Sequence, residues 1–236
     1  MKTRLSEMAG AYIVGTSLAA LAVALLVVRW SLSSPRWTGV VVVMALGALA
    51  HAYPIQGFRH QAYQVTLPFI VLAAAIFNGV ELVAFIVVIH LAEQLRVRRP
   101  PYIQWFNACD YFLSAALALT LYHRAVGLLP QGPLGQLTAA LAAACGFILL
   151  NRLLLAIALW LARGLSPVAS GLFQPELLAA DLVIAWIAGP MLVLALLVGT
   201  WTALVTAGPL LLARPALSAL LRHHQGAPGR IQVPAA

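Results

Sequence analysis

Apolar residues fill long runs of this chain, and short polar or glycine- and proline-containing stretches separate the runs. Nearly continuous apolar sequence extends from Ala9 to Ala213. A run of about 20 apolar residues is long enough to cross the hydrocarbon core of a bilayer as a helix. The pattern therefore predicts an all-α, polytopic transmembrane helical bundle of about eight spans. The predicted helices cover about residues 9–28, 35–53, 65–77, 79–95, 103–124, 134–162, 175–198 and 200–213.

Two of the apolar segments have unusual lengths. Residues 65–95 are too long for one ordinary span, and Asn78-Gly79 divides them into a hairpin of two short helices. Residues 134–162 would form a helix of about 43 Å at 1.5 Å per residue. We expect this second segment to tilt, to protrude from the membrane, or to break near Asn151.

The composition agrees with this class of protein. The 236 residues are 63% hydrophobic and 8% charged, whereas a soluble domain is about one quarter charged. No room is left for a sizeable soluble domain, so residues 1–222 are predicted to form one transmembrane helical domain. Residues 223–236 are predicted to be a disordered, basic cytoplasmic tail. The net charge of +8 is attributed to membrane topology and not to nucleic-acid binding.

The distribution of Lys and Arg predicts the orientation. With a cytoplasmic N-terminus and eight spans, ten of the 14 basic residues fall on the cytoplasmic side. This bias places both termini in the cytoplasm of a bacterial cell, with the chain in the inner membrane. The basic segment from Arg214 to Arg222 is expected to lie against anionic lipid headgroups, with docking of a cytoplasmic partner as the alternative.

Five polar residues interrupt the apolar sequence where a membrane tolerates them least. Charged groups in hydrocarbon cost about 2.5–3.5 kcal/mol on insertion scales, so such residues normally face the bundle interior and have partners. Counted from the cytoplasmic helix ends, Asp110, Arg152 and Asp181 reach similar depths. We therefore predict that Arg152 pairs with Asp110 or Asp181. The full candidate set, for a structural ion pair or a ligand site, is Asn107, Asp110, Asn151, Arg152 and Asp181.

Two further residues are secondary candidates. Glu81 follows Asn78 at the spacing of a helix capping box, with a role in an outward-facing ligand site as the alternative. His90 is expected to be a hydrogen-bonded packing residue in preference to a metal ligand, and His51 is expected at the membrane interface. No metal or cofactor site is predicted. The sequence has no nucleophile elbow, zinc-protease motif, P-loop or dinucleotide fingerprint, so we expect no enzyme activity.

The order of several short motifs resembles a known family. The motifs are Ala52-Tyr53-Pro54-Ile55, the hairpin ending in Arg96-Val97-Arg98-Arg99, Trp105-Phe106-Asn107, Leu150-Asn151-Arg152 and Gly208-Pro209-Leu210. Over about residues 38–222, this order resembles the N-terminal multi-helix membrane domain of bacterial HD-GYP and GGDEF sensor proteins. The general architecture is also similar to the substrate-binding subunits of energy-coupling-factor transporters. The resemblance implies a ligand-binding helical bundle whose last helix leads to the cytoplasm.

These observations lead to one principal hypothesis and two alternatives. The principal hypothesis is a non-enzymatic membrane binding module, a sensor-like or substrate-capture subunit for a small or lipophilic ligand. Because no output domain follows the last helix, we expect a separate cytoplasmic or membrane protein to carry any signal. The alternatives are a transporter of a small molecule or ion, and a structural subunit of a larger membrane complex.

Overall fold

The computed structural model describes residues 6–29, 37–53, 55–56, 62–63 and 65–208. The predicted all-α architecture is confirmed. The elements are α1 (Glu7–Arg29), α2 (Trp37–Ala52), β1 (Ile55–Gln56), β2 (Ala62–Tyr63), α3 (Leu67–Ile76), α4 (Gly79–Val97), α5 (Pro101–Leu128), α6 (Pro133–Arg163) and α7 (Pro175–Leu197). A further helical segment covers 202–208. The end of the last predicted helix, the basic segment after it and the tail at 223–236 lie outside the described residues.

The predicted division of residues 65–95 into two short helices is confirmed, and a capping box produces it. The Glu81 amide donates to Asn78 Oδ1 at 2.9 Å, and the Asn78 amide donates to Glu81 Oε2 at 2.8 Å. These two bonds satisfy backbone donors that the first turn of α4 leaves free. They fix the start of α4 at Gly79, so that only two residues separate it from the end of α3 at Ile76.

α3 is the most deeply buried element of the described chain. Its eight residues from Leu67 to Ala74 are all buried, although the whole helix has only ten residues. At 1.5 Å per residue it is about 15 Å long, half the thickness of a bilayer core. It packs against α2, α5, α6 and α7. A helix that is apolar on every side is stable where other apolar groups cover it on every side, which agrees with the position of α3 among the other helices.

α6 is one unbroken helix of 31 residues, so the predicted alternative of a break near Asn151 is wrong. Its backbone hydrogen bonds need no interruption, because Asn151 and Arg152 extend into the bundle and find partners on neighbouring helices. The helix ends where Gly164 adopts a left-handed conformation with φ of 67°, which glycine reaches without steric cost.

Three of the described helices are long and apolar enough to cross a membrane: α1, α6 and α7. α1 has a strongly exposed apolar surface, on which Leu18, Leu21 and Leu25 are each about three-fifths exposed. Such a continuous apolar face is typical of contact with lipid or with another protein. α7 contains Pro190 and nevertheless continues as one helix to Leu197.

Candidate functional site

Arg152 forms an ion pair with Asp181 in the bundle interior. The guanidinium donates from Nε to Asp181 Oδ2 at 3.0 Å, and Nη2 donates to the same oxygen. Both side chains are buried. Of the two partners that the sequence allowed for Arg152, the structure therefore selects the aspartate on α7. A buried guanidinium and carboxylate compensate each other's loss of water only at this kind of close range.

Asp110 has different partners. The Asn151 amide donates to Asp110 Oδ2 at 3.0 Å, and the Ser114 hydroxyl lies 3.4 Å from Oδ1. Because Asn151 and Arg152 are adjacent on α6, this helix is linked to α5 on one side and to α7 on the other at the same level. Four of the five principal candidate residues thus join three helices through two separate polar links.

Asn107, the fifth candidate, lies away from these links. It is half-buried and lines a cavity of about 480 Å³ between α1, α5 and α6. The wall is mostly apolar, with Phe106 and Leu159 among its residues, and Tyr12, Tyr102 and Arg163 supply its other polar groups. Ligand pockets typically measure about 300–1,000 Å³ and combine an apolar wall with a few polar groups.

Hydrogen bonds to the backbone of α6 hold α1 against the cavity. The Ser6 hydroxyl donates to the Leu161 carbonyl at 2.8 Å, and the Tyr12 hydroxyl donates to the Leu154 carbonyl at 3.1 Å. These residues are about 150 positions apart in the chain. Sequence reasoning missed the cavity because its walls come from segments whose packing no local pattern reveals.

A second polar cluster lies where α2 and α4 end and α5 begins. Glu93 Oε2 lies 3.3 Å from His51 Nε2 and 3.6 Å from His90 Nδ1. Glu93 Oε1 accepts from Arg99 Nη2 at 2.9 Å. The Gln104 side-chain amide donates to the His90 carbonyl at 2.8 Å and lies 3.2 Å from Glu93 Oε2. This cluster contains more converging ionisable groups than the candidate set that the sequence suggested.

The prediction that His51 lies at the membrane interface stays a prediction, and Glu93 was missed. His51 is 7% exposed, because α2 brings it against α4. His90 and Glu93 are three residues apart on α4, a spacing that places them on one helix face. This spacing is the sequence feature from which Glu93 could have been recognised as a neighbour of His90. Only the packing of α2 on α4 shows that a second histidine joins them.

Glu81 does not belong to either cluster. It is buried and forms the capping box at the start of α4, whereas His90 lies about two and a half turns further along the same helix. Its Oε2 accepts from the Asn78 amide, as the capping interpretation predicted. The structure therefore places the two secondary candidates in different parts of the bundle.

No family model, curated protein or solved structure matches this chain. The resemblance to bacterial membrane sensor domains therefore stays a hypothesis that depends on the short motifs alone.

Proposed function

We propose that this protein is a non-enzymatic integral membrane module that binds a small lipophilic ligand in the cavity between α1, α5 and α6. In this proposal the chain crosses a bacterial inner membrane about eight times with both termini in the cytoplasm. α1, α6 and α7 are spans, and α3 with α4 forms the short hairpin. A separate cytoplasmic or membrane protein would receive the signal or the captured ligand.

The cavity is the observation that carries the proposal. Two of its polar groups lie at one end, since Tyr102 lies at the first turn of α5 and Arg163 is the last residue of α6. Phe106 and Leu155 lie one to two turns deeper in the same helices. An amphipathic molecule fits this arrangement, with its polar group near Arg163 and its apolar part between the helices.

The extent of the cavity favours binding over transport. Along α6 its wall extends from Leu155 to Arg163, a distance of about 12 Å at 1.5 Å per residue. That is less than half the thickness of a bilayer core, about 30 Å. A transporter needs access from both sides, so flux in proteoliposomes separates the two functions. A binding module alone gives no flux of the bound molecule.

The polar links of α6 support a structural role for most of the predicted site residues. Asp110, Asn151, Arg152 and Asp181 bond to one another between helices. Asn107 is the member of the candidate set that lines the cavity. We therefore assign Asn107 to the ligand and the other four residues to bundle assembly.

Photo-crosslinking tests this proposal. The purified protein in detergent is labelled with a diazirine derivative of palmitic acid, and the labelled peptides are identified by mass spectrometry. We expect saturable labelling of the α6 segment around Leu155, which excess unlabelled palmitic acid competes away. Ala158→Phe, which fills the cavity, should abolish this labelling. Leu153→Phe is the matched control, because Leu153 is 51% exposed on the outside of α6.

Two results would contradict the proposal. One is labelling that never saturates and is equal in the Ala158→Phe variant and the parent protein. The other is saturable labelling confined to helices that do not line the cavity. Copurification of a fixed set of membrane proteins without saturable labelling would instead favour a structural subunit.

A further inference from the structure

We propose that His51, His90 and Glu93 form a binding site for a divalent transition-metal ion of the zinc class. The three potential ligand atoms come from α2 and α4 and lie within 4.8 Å of one another. All three residues are buried. Two imidazoles and one carboxylate are a common ligand set for zinc and for other first-row ions. This site is separate from the cavity between α1, α5 and α6, so it does not depend on the proposed lipophilic ligand.

The spacing of the ligand atoms fits one shared ion. Zinc bonds to nitrogen and oxygen at about 2.0–2.2 Å, so tetrahedral ligand atoms lie about 3.3 Å from each other. Glu93 Oε2 is 3.3 Å from His51 Nε2 and 3.6 Å from His90 Nδ1. His51 Nε2 forms no hydrogen bond with the described residues despite this short distance. The two atoms are buried and close enough for one ion to bond to both of them.

Neighbouring side chains hold the ligands as outer partners do in metal sites. Thr66 Oγ1 lies 3.2 Å from His51 Nδ1, which leaves Nε2 directed toward Glu93. Arg99 Nη2 binds Glu93 Oε1 at 2.9 Å, which leaves Oε2 for the two histidines. Such contacts fix the orientation and tautomer of ligating side chains. The Arg99 side chain is 36% exposed, so part of it stays in contact with water while Nη2 binds Glu93.

The Gln104 side-chain amide lies against more potential hydrogen-bond acceptors than its two hydrogens can bond. Its amide nitrogen faces the His90 carbonyl, His90 Nδ1 and Glu93 Oε2 at 2.8–3.2 Å, yet it carries two hydrogens. Its buried Oε1 has no hydrogen-bond partner among the described residues. One of these potential acceptors therefore has no donor from Gln104, and His90 Nδ1 could bond to a cation instead. A cation would thus satisfy groups that the amide alone leaves unsatisfied.

Tyr111 encloses the site on the side of α5. Its ring meets the imidazoles of His51 and His90 edge to face, at centroid distances of 5.0 Å each. The two imidazoles are themselves 4.6 Å apart in an edge contact. These contacts restrict ring rotation and exclude bulk water from one side. A site with fixed ligands and restricted solvent access is one that a cation enters only by replacing protons or water.

Metal uptake by the purified protein tests this proposal. The protein carries a tag without histidine, together with His223→Ala and His224→Ala, because adjacent tail histidines would bind metal themselves. It is stripped with a chelator, incubated with Zn²⁺, desalted and analysed by elemental mass spectrometry. We expect about one zinc per chain, as a single His₂Glu site requires. His51→Ala and Glu93→Gln should each weaken binding by at least roughly tenfold.

His123→Ala is the matched control, since His123 lies at the far end of α5 from Gln104 and should not affect uptake. Cobalt provides a readout that does not depend on variants. In the parent protein, Co²⁺ should give visible absorption bands of a four-coordinate nitrogen and oxygen site. Absence of stoichiometric zinc and of these bands from the folded parent protein would overturn the proposal. Equal loss of uptake in His123→Ala would also overturn it.

Discussion

Arg152 on α6 and Asp181 on α7 form a buried ion pair, with Arg152 Nε 3.0 Å from Asp181 Oδ2. The arginine is 5% exposed and the aspartate 1%. Burial removes the hydration of both charges, and their mutual attraction offsets that cost only while both partners are present. The pair therefore specifies how α6 and α7 align, even where its net contribution to stability is small.

Loss of one partner of the Arg152–Asp181 pair should lower the stability of the protein more than loss of both partners. Arg152→Met leaves Asp181 buried without its counter-charge and should cost about 3–5 kcal/mol. Arg152→Met combined with Asp181→Leu should recover most of that loss, because no unpaired charge remains. Thermal unfolding in detergent, together with yield after membrane extraction, measures both effects. Equal destabilisation of the single and the double variant would show that the pair does not couple the two helices.

Asn107 and Asn151 should respond differently to the same substitution. Asn151→Leu removes the donor to buried Asp110, so we expect a loss of about 1–3 kcal/mol in stability and unchanged cavity labelling in the protein that folds. Asn107→Leu changes the cavity wall and should reduce palmitate labelling with little change in thermal stability. Each variant is the control for the other. A loss of stability in Asn107→Leu as large as that in Asn151→Leu would contradict the assignment of these residues to different roles.

Local chemistry made part of this structure predictable. The capping box of Asn78 and Glu81 could be recognised from spacing alone, because it depends on four consecutive residues. The depth of Arg152 could be estimated because helices rise by a constant 1.5 Å per residue. Depth does not determine which face of a neighbouring helix is in contact. That is why the sequence left Asp110 and Asp181 as equal partners for Arg152.

Contacts between distant segments were not predictable in this way. His51 lies one position before the end of α2, and no local pattern shows that α4 covers it. The cavity depends on hydrogen bonds between α1 and α6 across about 150 positions. The burial of eight of the ten residues of α3 depends on its packing against other helices. Each of these features is set by tertiary packing, for which a single sequence carries no periodic signal.

Substitution by alanine should have different effects on thermal stability at two helical glycines. A Cβ on Gly47 of α2 would lie 2.5 Å from Phe85 Cε2, and Phe85 is fully buried on α4. Overpacking of this kind costs about 1–3 kcal/mol, which exceeds the gain of about 1 kcal/mol from helix propensity. A Cβ on Gly15 of α1 would have no atom beyond the neighbouring backbone of its own helix within 4 Å. Gly15→Ala should therefore gain the helix propensity of alanine without any overpacking. We expect the unfolding temperature to fall in Gly47→Ala and to stay level or rise in Gly15→Ala. A rise in both variants would mean that α2 and α4 are not in the close contact that brings His51 to Glu93.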